Sequence, residues 1–266
     1  MTDTTEEQKM PLLEHLIELR KRLLWSVLTL LFAFLASFAF AEYLFEFLAA
    51  PLAEVMRENA VSDRETRLIF TDLTEVFFTY VKVAFFFGAF ISCPIFLSQI
   101  WLFVAPGLYK NEKSAFAPFL IASPILFFIG GALVYYVIFP MAAEFFLGFQ
   151  VQGSESTIAI ELEAKVNEYF SLMMKLIFAF GICFQLPVLM TLLAKVGMAT
   201  SKGMAEKRKY AIVGVFIVAA IFTPPDPLSQ LALAIPIVLL YEISILMAKM
   251  VEKKRAEEEN AESTDT

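Results

Sequence analysis

The residues HLIELRKRLLWSVLTLLFAFLASFAFAEY (15–43) decide the fold, because a charged helical segment runs directly into a long apolar stretch. In the segment that ends with HLIELRKRLL (15–24), Leu12, Leu16, Leu19 and Leu23 recur at helical spacing between acidic and basic residues, a pattern typical of a surface helix. The apolar part, about residues 23–43, has the ~20 residues that a helix needs to cross a ~30 Å hydrocarbon layer. It also exceeds the ~7 to 15 apolar residues of a secretory signal. The stretch therefore predicts a surface helix that continues into a retained membrane span.

The composition indicates a polytopic membrane protein. Of the 266 residues, 59% are hydrophobic, against ~45 to 50% in an ordinary soluble domain. The excess lies in runs, which predict an all-α protein with six transmembrane helices at about residues 23–43, 73–104, 115–140, 166–194, 210–223 and 228–247. We expect one transmembrane domain over residues 1–266 that ends in a charged, disordered tail at 252–266.

The fifth run is unusually short. Residues 210–223 would form a helix of only ~21 Å, well below the ~30 Å of the hydrocarbon layer. The chain then returns through Pro224-Pro225-Asp226-Pro227 into the sixth run. The last two helices are therefore predicted to form a short hairpin that thins the bilayer or sits behind longer helices.

The distribution of Lys and Arg predicts the orientation. Between the predicted spans, one side holds only Arg57, Arg64, Arg67 and Lys165. The other side collects Lys9, Arg20, Lys21, Arg22, Lys110, Lys113, Lys195, Lys202, Lys207, Arg208, Lys209, Lys249, Lys253, Lys254 and Arg255. Because positive loops stay in the cytoplasm, both termini and the 252–266 tail are expected there.

The residue inventory excludes several classes of site. Cys93 and Cys183 both lie in apolar runs, and His15 is the single histidine, so neither a disulfide framework, a metal centre nor a histidine triad is indicated. The sequence has no hydrolase elbow, phosphate loop, zinc motif or dinucleotide fingerprint. We therefore expect no enzyme activity, no cofactor and no nucleic-acid partner.

Two acidic residues on the basic side are candidate binding groups. Glu18 and Arg22 stand at i, i+4, which by itself predicts an exposed helical ion pair worth a few tenths of a kcal/mol. Alternatively, Glu18 and Glu112 could together grip a ligand that carries guanidinium groups, through bidentate hydrogen bonds.

Polar residues within or between the spans allow two interpretations each. Gln185, beside Pro187 in the fourth run, either forms a helix-to-helix hydrogen bond or bonds to a carbonyl that Pro187 releases, or else it lines a cavity where a substrate segment inserts. Asp226 before Pro227 has the form of a helix N-cap, which does not exclude a further role. A solute transporter or channel with Lys82, Lys175 and Gln185 along its pathway is the competing functional class, and it predicts flux by the protein alone.

Several motifs, in order along nearly the whole chain, resemble the TatC family. These are HLIELRKRL (15–23), APL (50–52), QIWLFVAPGLYKNEK (99–113), FP (139–140), FGICFQLPV (180–188), TPPDPLSQ (223–230) and AIP (234–236). TatC is the multispanning receptor subunit of the twin-arginine protein translocase. The resemblance implies six spans, inward termini and a concave groove in the cytoplasmic (inner) membrane, without enzyme activity.

The resemblance also implies partners and site residues. A TatC-like protein docks folded precursors through twin-arginine signal peptides and moves them with TatA and TatB, in complexes of several copies, using the proton motive force. Its signal-recognition acids fall on Glu18 and Glu112. Arg20, Arg22 and Phe103 match further signal-binding positions, and Pro51, Gln185 and Asp226 match positions of partner contact or translocation. The family often has Glu where this chain has Gln185, so any contact there must be made by an amide.

Overall fold

The computed structural model describes residues 6–58, 67–108, 117–151, 160, 162–223 and 226–264. Regular structure in these ranges is helical, and β-pairing is limited to two isolated bridges. The helices are α1 (Glu6–Ala39), α2 (Ala41–Glu58), α3 (Glu75–Leu108), α4 (Ala117–Leu133), a π-helical turn (Val134–Ile138), α5 (Phe139–Leu147), α6 (Val166–Cys183), α7 (Leu186–Lys195), α8 (Ser201–Glu206), α9 (Arg208–Phe222) and α10 (Pro227–Thr264). The all-α prediction is confirmed for the described part of the chain.

Five helical stretches in the described ranges are long and apolar enough to cross a membrane. They are His15–Ala39, Glu75–Phe103, Pro118–Leu147, Val166–Lys195 and Ser229–Lys254. Each overlaps one of the predicted runs. The remaining run corresponds to α9, whose 15 residues give a helix of ~22 Å. The sixth helix, by contrast, is not short, because α10 continues for 38 residues.

Prolines explain where the apolar helices are interrupted. Pro140 has no N–H to donate, and the π-helical turn just before it absorbs the disturbance. Pro187 lies in the first turn of α7, after a break at Phe184 and Gln185 that divides the predicted fourth span into α6 and α7. Pro51 lies inside α2 and does not end that helix.

Residues 1–45 and 80–124 form a first compact unit. Within it, α1 and α3 are antiparallel: the His15 ring stacks on Phe103 and, further along α1, Phe34 contacts Phe85. A Cβ built on Gly88 of α3 would lie 2.7 Å from the Phe34 Cα, so the two backbones nearly touch there. A lone glycine thus sets the distance between these helices.

The packed face of α1 is polar. Ser26 and Ser37 are buried, whereas Leu16, Leu19 and Leu23 are 58%, 41% and 55% exposed. In a soluble protein the leucine stripe would face the core, but lipid is as apolar as leucine and does not drive leucines inward. The leucines therefore face outward, and the Glu18–Arg22 side faces the protein.

Residues 46–79 and 125–266 form the second unit. Its α4 and α6 approach each other closely, because a Cβ on Gly130 would lie 2.8 Å from the Phe180 carbonyl oxygen and one on Gly181 would collide with the Phe127 ring. Gly130 and Gly181 therefore set the short distance between these two helices. Phe170 and Phe180 of α6 are fully buried beside this contact.

Helix α10 packs against α7, α8 and α9. The Glu252 carboxylate accepts bonds from the Ser201 N–H at 2.6 Å and the Ser201 hydroxyl at 2.5 Å, and Arg208 pairs with Glu242 at 2.7 Å. The helix continues to Thr264, through most of the segment predicted to be disordered. Its Glu, Lys and Ala residues are strong helix formers, and Glu252 ties the first part of that segment to α8.

The starts of α3 and α6 are held together by one carboxylate. Glu75 accepts bonds from the Thr71 N–H at 3.0 Å and the Asn167 N–H at 2.9 Å. Next to it, the Ile69 N–H bonds to the Ala164 carbonyl at 3.0 Å, and the Val166 N–H bonds to the Ile69 carbonyl at 2.9 Å. Hydrogen bonds therefore connect residues 67–72 to residues 162–167.

Candidate functional site

The predicted Glu18–Arg22 ion pair is present. Arg22 donates from Nε to the Glu18 Oε1 at 3.1 Å and from Nη2 to the same oxygen. The Arg22 side chain is 18% exposed and that of Glu18 is 37% exposed. Both bonds from Arg22 use a single carboxylate oxygen, so the carboxylate is held in place while it stays open to solvent.

Helical spacing places this pair on the packed side of α1. Glu18, Arg22 and Ser26 are four residues apart and share one face, and the Ser26 hydroxyl donates to the Arg22 carbonyl at 3.0 Å. Arg20 is two residues, or about 200°, away around the helix and is exposed. Glu18 and Arg22 are thus brought together, whereas Arg20 is not.

Phe103 lies at the same end of the α1–α3 pair as Glu18. Its ring stacks on His15, with ring centroids 4.2 Å apart and an interplanar angle of 23°. Because His15 is about one turn from Glu18 on α1, the stack sets an aromatic surface beside the carboxylate. The signal-binding candidates Glu18, Arg22 and Phe103 are therefore neighbours within one unit.

Glu112 lies outside the described residues, between the end of α3 at Leu108 and the start of α4 at Ala117. The two helices are joined near this loop by a buried hydrogen bond from the Trp101 Nε1 to the Ser123 hydroxyl, at 2.7 Å. Both anchors belong to the same unit as Glu18. The sequence analysis named neither anchor, although a tryptophan N–H in an apolar run must find an acceptor.

The second unit explains why Pro51 can lie within a helix. A proline at position 51 leaves the carbonyl of residue 47 without its helical donor. The Tyr135 hydroxyl donates to the Phe47 carbonyl at 2.7 Å, and the two rings stack at 4.7 Å. The Tyr169 hydroxyl donates to the neighbouring Leu48 carbonyl at 2.5 Å. Tyr135 in the π-helical turn and Tyr169 in α6 thus donate hydrogen bonds to backbone carbonyls of α2 close to Pro51.

Gln185 sits at the break between α6 and α7. Its backbone N–H bonds to the Ile182 carbonyl at 2.9 Å, one residue short of the regular helical partner. The Gly181 carbonyl that a regular helix would have used accepts instead from the Gln185 side-chain Nε2 at 3.5 Å. The side chain thus bonds to a carbonyl at the break, but this carbonyl belongs to Gly181 and not to Cys183, whose helical donor Pro187 removes.

Asp226 is the N-cap of α10, as predicted. Its Oδ1 accepts from the Ser229 N–H at 2.7 Å, with Pro227 at the first helical position. Within the described part of the chain, the other oxygen, Oδ2, is buried without a hydrogen-bond partner. The N-cap therefore uses only one of the two oxygens of this carboxylate.

The candidates fall into two groups. Glu18, Arg20, Arg22 and Phe103 belong to the first unit, and Pro51, Gln185 and Asp226 belong to the second. Tyr135 and Tyr169 were missed by the sequence analysis, although a tyrosine in an apolar run signals a hydroxyl that needs a partner. Among the residues that the structure describes, no group of three or more His, Cys, Asp or Glu side chains could hold a metal ion.

Comparison with known proteins identifies the family. The sequence model of the family described as "Sec-independent protein translocase protein (TatC)" matches residues 14–236. The chain is 52% identical over 256 residues to the TatC protein of Magnetococcus marinus, covering 96% of this chain and 90% of the relative. It is 37% identical over 254 residues to that of Escherichia coli K12, covering 95% and 94%.

The fold agrees with this assignment. A crystal structure of the twin-arginine translocase receptor TatC superposes with a TM-score of 0.76 at 39% identity, covering 89% of this chain and 99% of that one. A second TatC structure, in the detergent DDM, gives 0.75 at 38% identity, with coverage of 88% and 99%. With the sequence motifs, the helical fold and both comparisons in agreement, this chain belongs to the TatC family of protein translocase components.

Proposed function

We propose that this chain is the receptor subunit of a twin-arginine translocase, which binds twin-arginine signal peptides of folded precursor proteins. The observation that carries the proposal is the Glu18–Arg22 pair: a guanidinium group already donates twice to a partly exposed carboxylate. A signal-peptide arginine presents the same donors, so the same carboxylate can read it.

Glu112 supplies the second carboxylate of the proposed site. It is four residues beyond Leu108, and four residues of fully extended chain reach at most ~14 Å. Phe103 lies near the same end of α3 and stacks beside the Glu18 turn. Two carboxylates next to an aromatic surface suit two adjacent arginines followed by an apolar stretch. Arg20 is exposed about 200° around α1 from the ion pair, so its proposed contact is with a polar flank of the peptide that reaches the other face of the helix.

The proposed topology has six spans with both termini in the cytoplasm of a cell with an inner membrane. Five spans follow from the long apolar helices and the sixth from α9, which packs against α10. The excess of Lys and Arg beside Glu18 and Glu112 supports a cytoplasmic receptor face. Longer helices around the short α9 would leave the concave groove that an inserted peptide needs.

Transport itself is proposed to require TatA and TatB, several copies of the complex and the proton motive force. Pro51, Gln185 and Asp226 are the proposed positions of partner contact or translocation. Gln185 lies at the break between α6 and α7, and Asp226 caps the start of α10. Pro51 lies within α2, where it removes a backbone donor. The proposed role is transport without catalysis, since no catalytic motif is present in the sequence.

Site-specific crosslinking tests the proposal. A photoreactive residue at the exposed Ile17 should crosslink to a labelled twin-arginine peptide, and Glu18→Arg or Glu112→Arg should reduce the yield at least about tenfold, the effect of losing about 1.4 kcal/mol. The matched control is Glu42→Arg, the same charge reversal on an exposed acid of α2. Unchanged yields in both variants, with the protein still inserted, would contradict the assigned roles.

A further inference from the structure

The second unit contains an apolar cavity of about 220 Å³ that none of the roles above uses. Its wall combines Leu52 of α2, Ala142 and Ala143 of α5, Leu172 and Leu176 of α6, and Leu233 of α10. Charged residues lie only at its rim, where Glu163, Lys165 and Glu168 surround the start of α6. The cavity therefore has the polarity of an amphiphile: one charged end and an apolar interior.

The rim lies at a membrane boundary. The apolar stretches Val166–Lys195 and Ser229–Lys254 both begin there, at Lys165 and at Ser229. Leu172 and Leu176 follow one turn apart along α6, so the cavity leads from the boundary into the apolar layer. A molecule that enters from the bilayer surface would keep its polar group at the rim and its apolar part inside.

An acyl chain fits the interior. A volume of 220 Å³ accommodates about seven methylene groups, each about as large as a water molecule at ~30 Å³. Apolar cavities stay dry, and an empty one forfeits dispersion contacts along its wall. Hydrocarbon is the material that surrounds this part of the protein, so an acyl chain is the available filler.

Selectivity must come from the rim, because an acyl chain gains no hydrophobic free energy when it moves from lipid into a protein. Lys165 is half-buried at the N-terminus of α6 and supplies the positive charge of this rim, while the first two N–H groups of α6 already bond to the Ile69 carbonyl and the Glu75 carboxylate. Glu168, exposed at the same rim, disfavours a net negative headgroup and favours one that also bears an amine. Glu163 is 3.8 Å from Arg67 and thus has a partner of its own.

The lining of this cavity also includes a buried polar side chain, that of Ser229. The Ser229 side chain is 5% exposed, and its hydroxyl oxygen has no hydrogen-bond partner among the described residues. A buried hydroxyl that makes no bond is costly, and an ester oxygen at the top of an acyl chain would supply the missing acceptor.

We propose that this cavity is a binding site for an amine-bearing phospholipid, with its phosphate at Lys165 and one acyl chain against Leu172, Leu176 and Leu233. The proposal does not depend on signal-peptide recognition, since its residues lie in the second unit and the peptide candidates Glu18 and Phe103 lie in the first.

Retention of lipid by the purified protein tests the site. The full chain is reconstituted in vesicles of equal phosphatidylethanolamine and phosphatidylglycerol, extracted in mild detergent and analysed by native mass spectrometry. We expect one retained lipid per chain, with at least threefold preference for phosphatidylethanolamine. Ala143→Phe, which fills the cavity, should remove it, whereas Met141→Phe, on the exposed side of α5, should not.

A second variant keeps the test independent of cavity repacking. Lys165→Gln leaves the cavity open and should lower retention of phosphatidylethanolamine at least threefold, while an uncharged diacylglycerol is retained as in the unsubstituted protein. Equal lipid retention in Ala143→Phe and Met141→Phe would overturn the site. Equal retention of phosphatidylethanolamine by Lys165→Gln and by the unsubstituted protein would overturn the phosphate contact.

Discussion

Among single side chains, Arg22 has the most direct bearing on the proposed peptide site, because it occupies the carboxylate that a signal-peptide arginine would need. An ion pair of this exposure is worth about 0.2 to 1 kcal/mol. Arg22→Gln removes the resident competitor, so we expect the dissociation constant of a twin-arginine peptide to fall by up to about fivefold, measured by fluorescence anisotropy in detergent.

Lys21→Gln is the matched control for this substitution. Lys21 adjoins Arg22 in the chain and is exposed, and its loss makes the same change in net charge. Competition predicts opposite trends: tighter binding without Arg22 and equal or weaker binding without Lys21. Weaker binding in both variants would mean that Arg22 attracts or positions the peptide rather than competing with it.

The two phenols that serve α2 give a second prediction for individual residues. Tyr135→Phe removes a donor from the Phe47 carbonyl, and Tyr169→Phe removes one from the Leu48 carbonyl. Buried hydrogen bonds between membrane helices are worth ~0.5 to 2 kcal/mol. Each variant should lower the free energy of unfolding by about that amount, measured by denaturant titration in mixed micelles.

A double-mutant cycle with Pro51 tests whether the Tyr135 hydrogen bond compensates for the N–H that the proline lacks. Pro51→Ala restores the N–H that the Phe47 carbonyl lacks, so the cost of Tyr135→Phe should shrink in that background. Tyr136→Phe, at an exposed neighbouring position, should be neutral in both backgrounds. If the cost of Tyr135→Phe is the same with and without Pro51, the hydrogen bond does not compensate for the proline.

The sequence predicts the local contacts of the candidate residues but not their contacts with distant parts of the chain. The Glu18–Arg22 pair and the Asp226 cap follow from spacing alone, since both are local contacts within one or two turns. The bonds from Tyr135 to Phe47 and from Tyr169 to Leu48 join residues 88 and 121 positions apart. A sequence shows that these hydroxyls need partners, but the choice of partner depends on how the helices pack.

At the level of helices, the contact between α1 and α3 depends on Gly88. A methyl group there would lie 2.7 Å from the Phe34 Cα and 2.8 Å from the Phe34 N, atoms of a helix backbone that cannot turn aside. We expect Gly88→Ala to separate the helices and lower the free energy of unfolding by about 1 to 3 kcal/mol. The His15–Phe103 stack should loosen, and peptide crosslinking from Ile17 should fall with it.

Gly214 provides the control for this glycine. A Cβ on Gly214 of α9 meets nothing within 4 Å, so Gly214→Ala should be neutral or stabilise the protein by up to about 1 kcal/mol. Equal effects of the two substitutions would show that helix propensity, rather than close approach, governs Gly88.

The helices also show where sequence patterns mislead. Apolar runs located the long helices. Gly88, alone among phenylalanines, gave no comparable signal. The leucine stripe of α1 predicts a core-facing side by the rules of soluble proteins, yet these leucines are exposed because hydrocarbon surrounds the helix.

For the molecule as a whole, the proposed membrane crossing by α9 predicts a preference for thin bilayers. Its ~22 Å falls about 8 Å short of a ~30 Å hydrocarbon core, and mismatch costs a fraction of a kcal/mol per Å, or a few kcal/mol in all. The protein in nanodiscs should therefore unfold at a higher temperature in lipids with 14-carbon chains than in lipids with 20-carbon chains. The melting temperature followed by circular dichroism measures this.

Lengthening α9 separates this cause from a general effect of lipid. Inserting four apolar residues after Val213 adds about one turn, or ~6 Å, and brings the helix close to the span of an ordinary bilayer. The variant should then melt at nearly the same temperature in both lipids, because the mismatch is gone, although α9 and α10 would lose register beyond the insertion. A thickness dependence that persists in the lengthened protein would place the mismatch in another helix, since α9 would no longer be short.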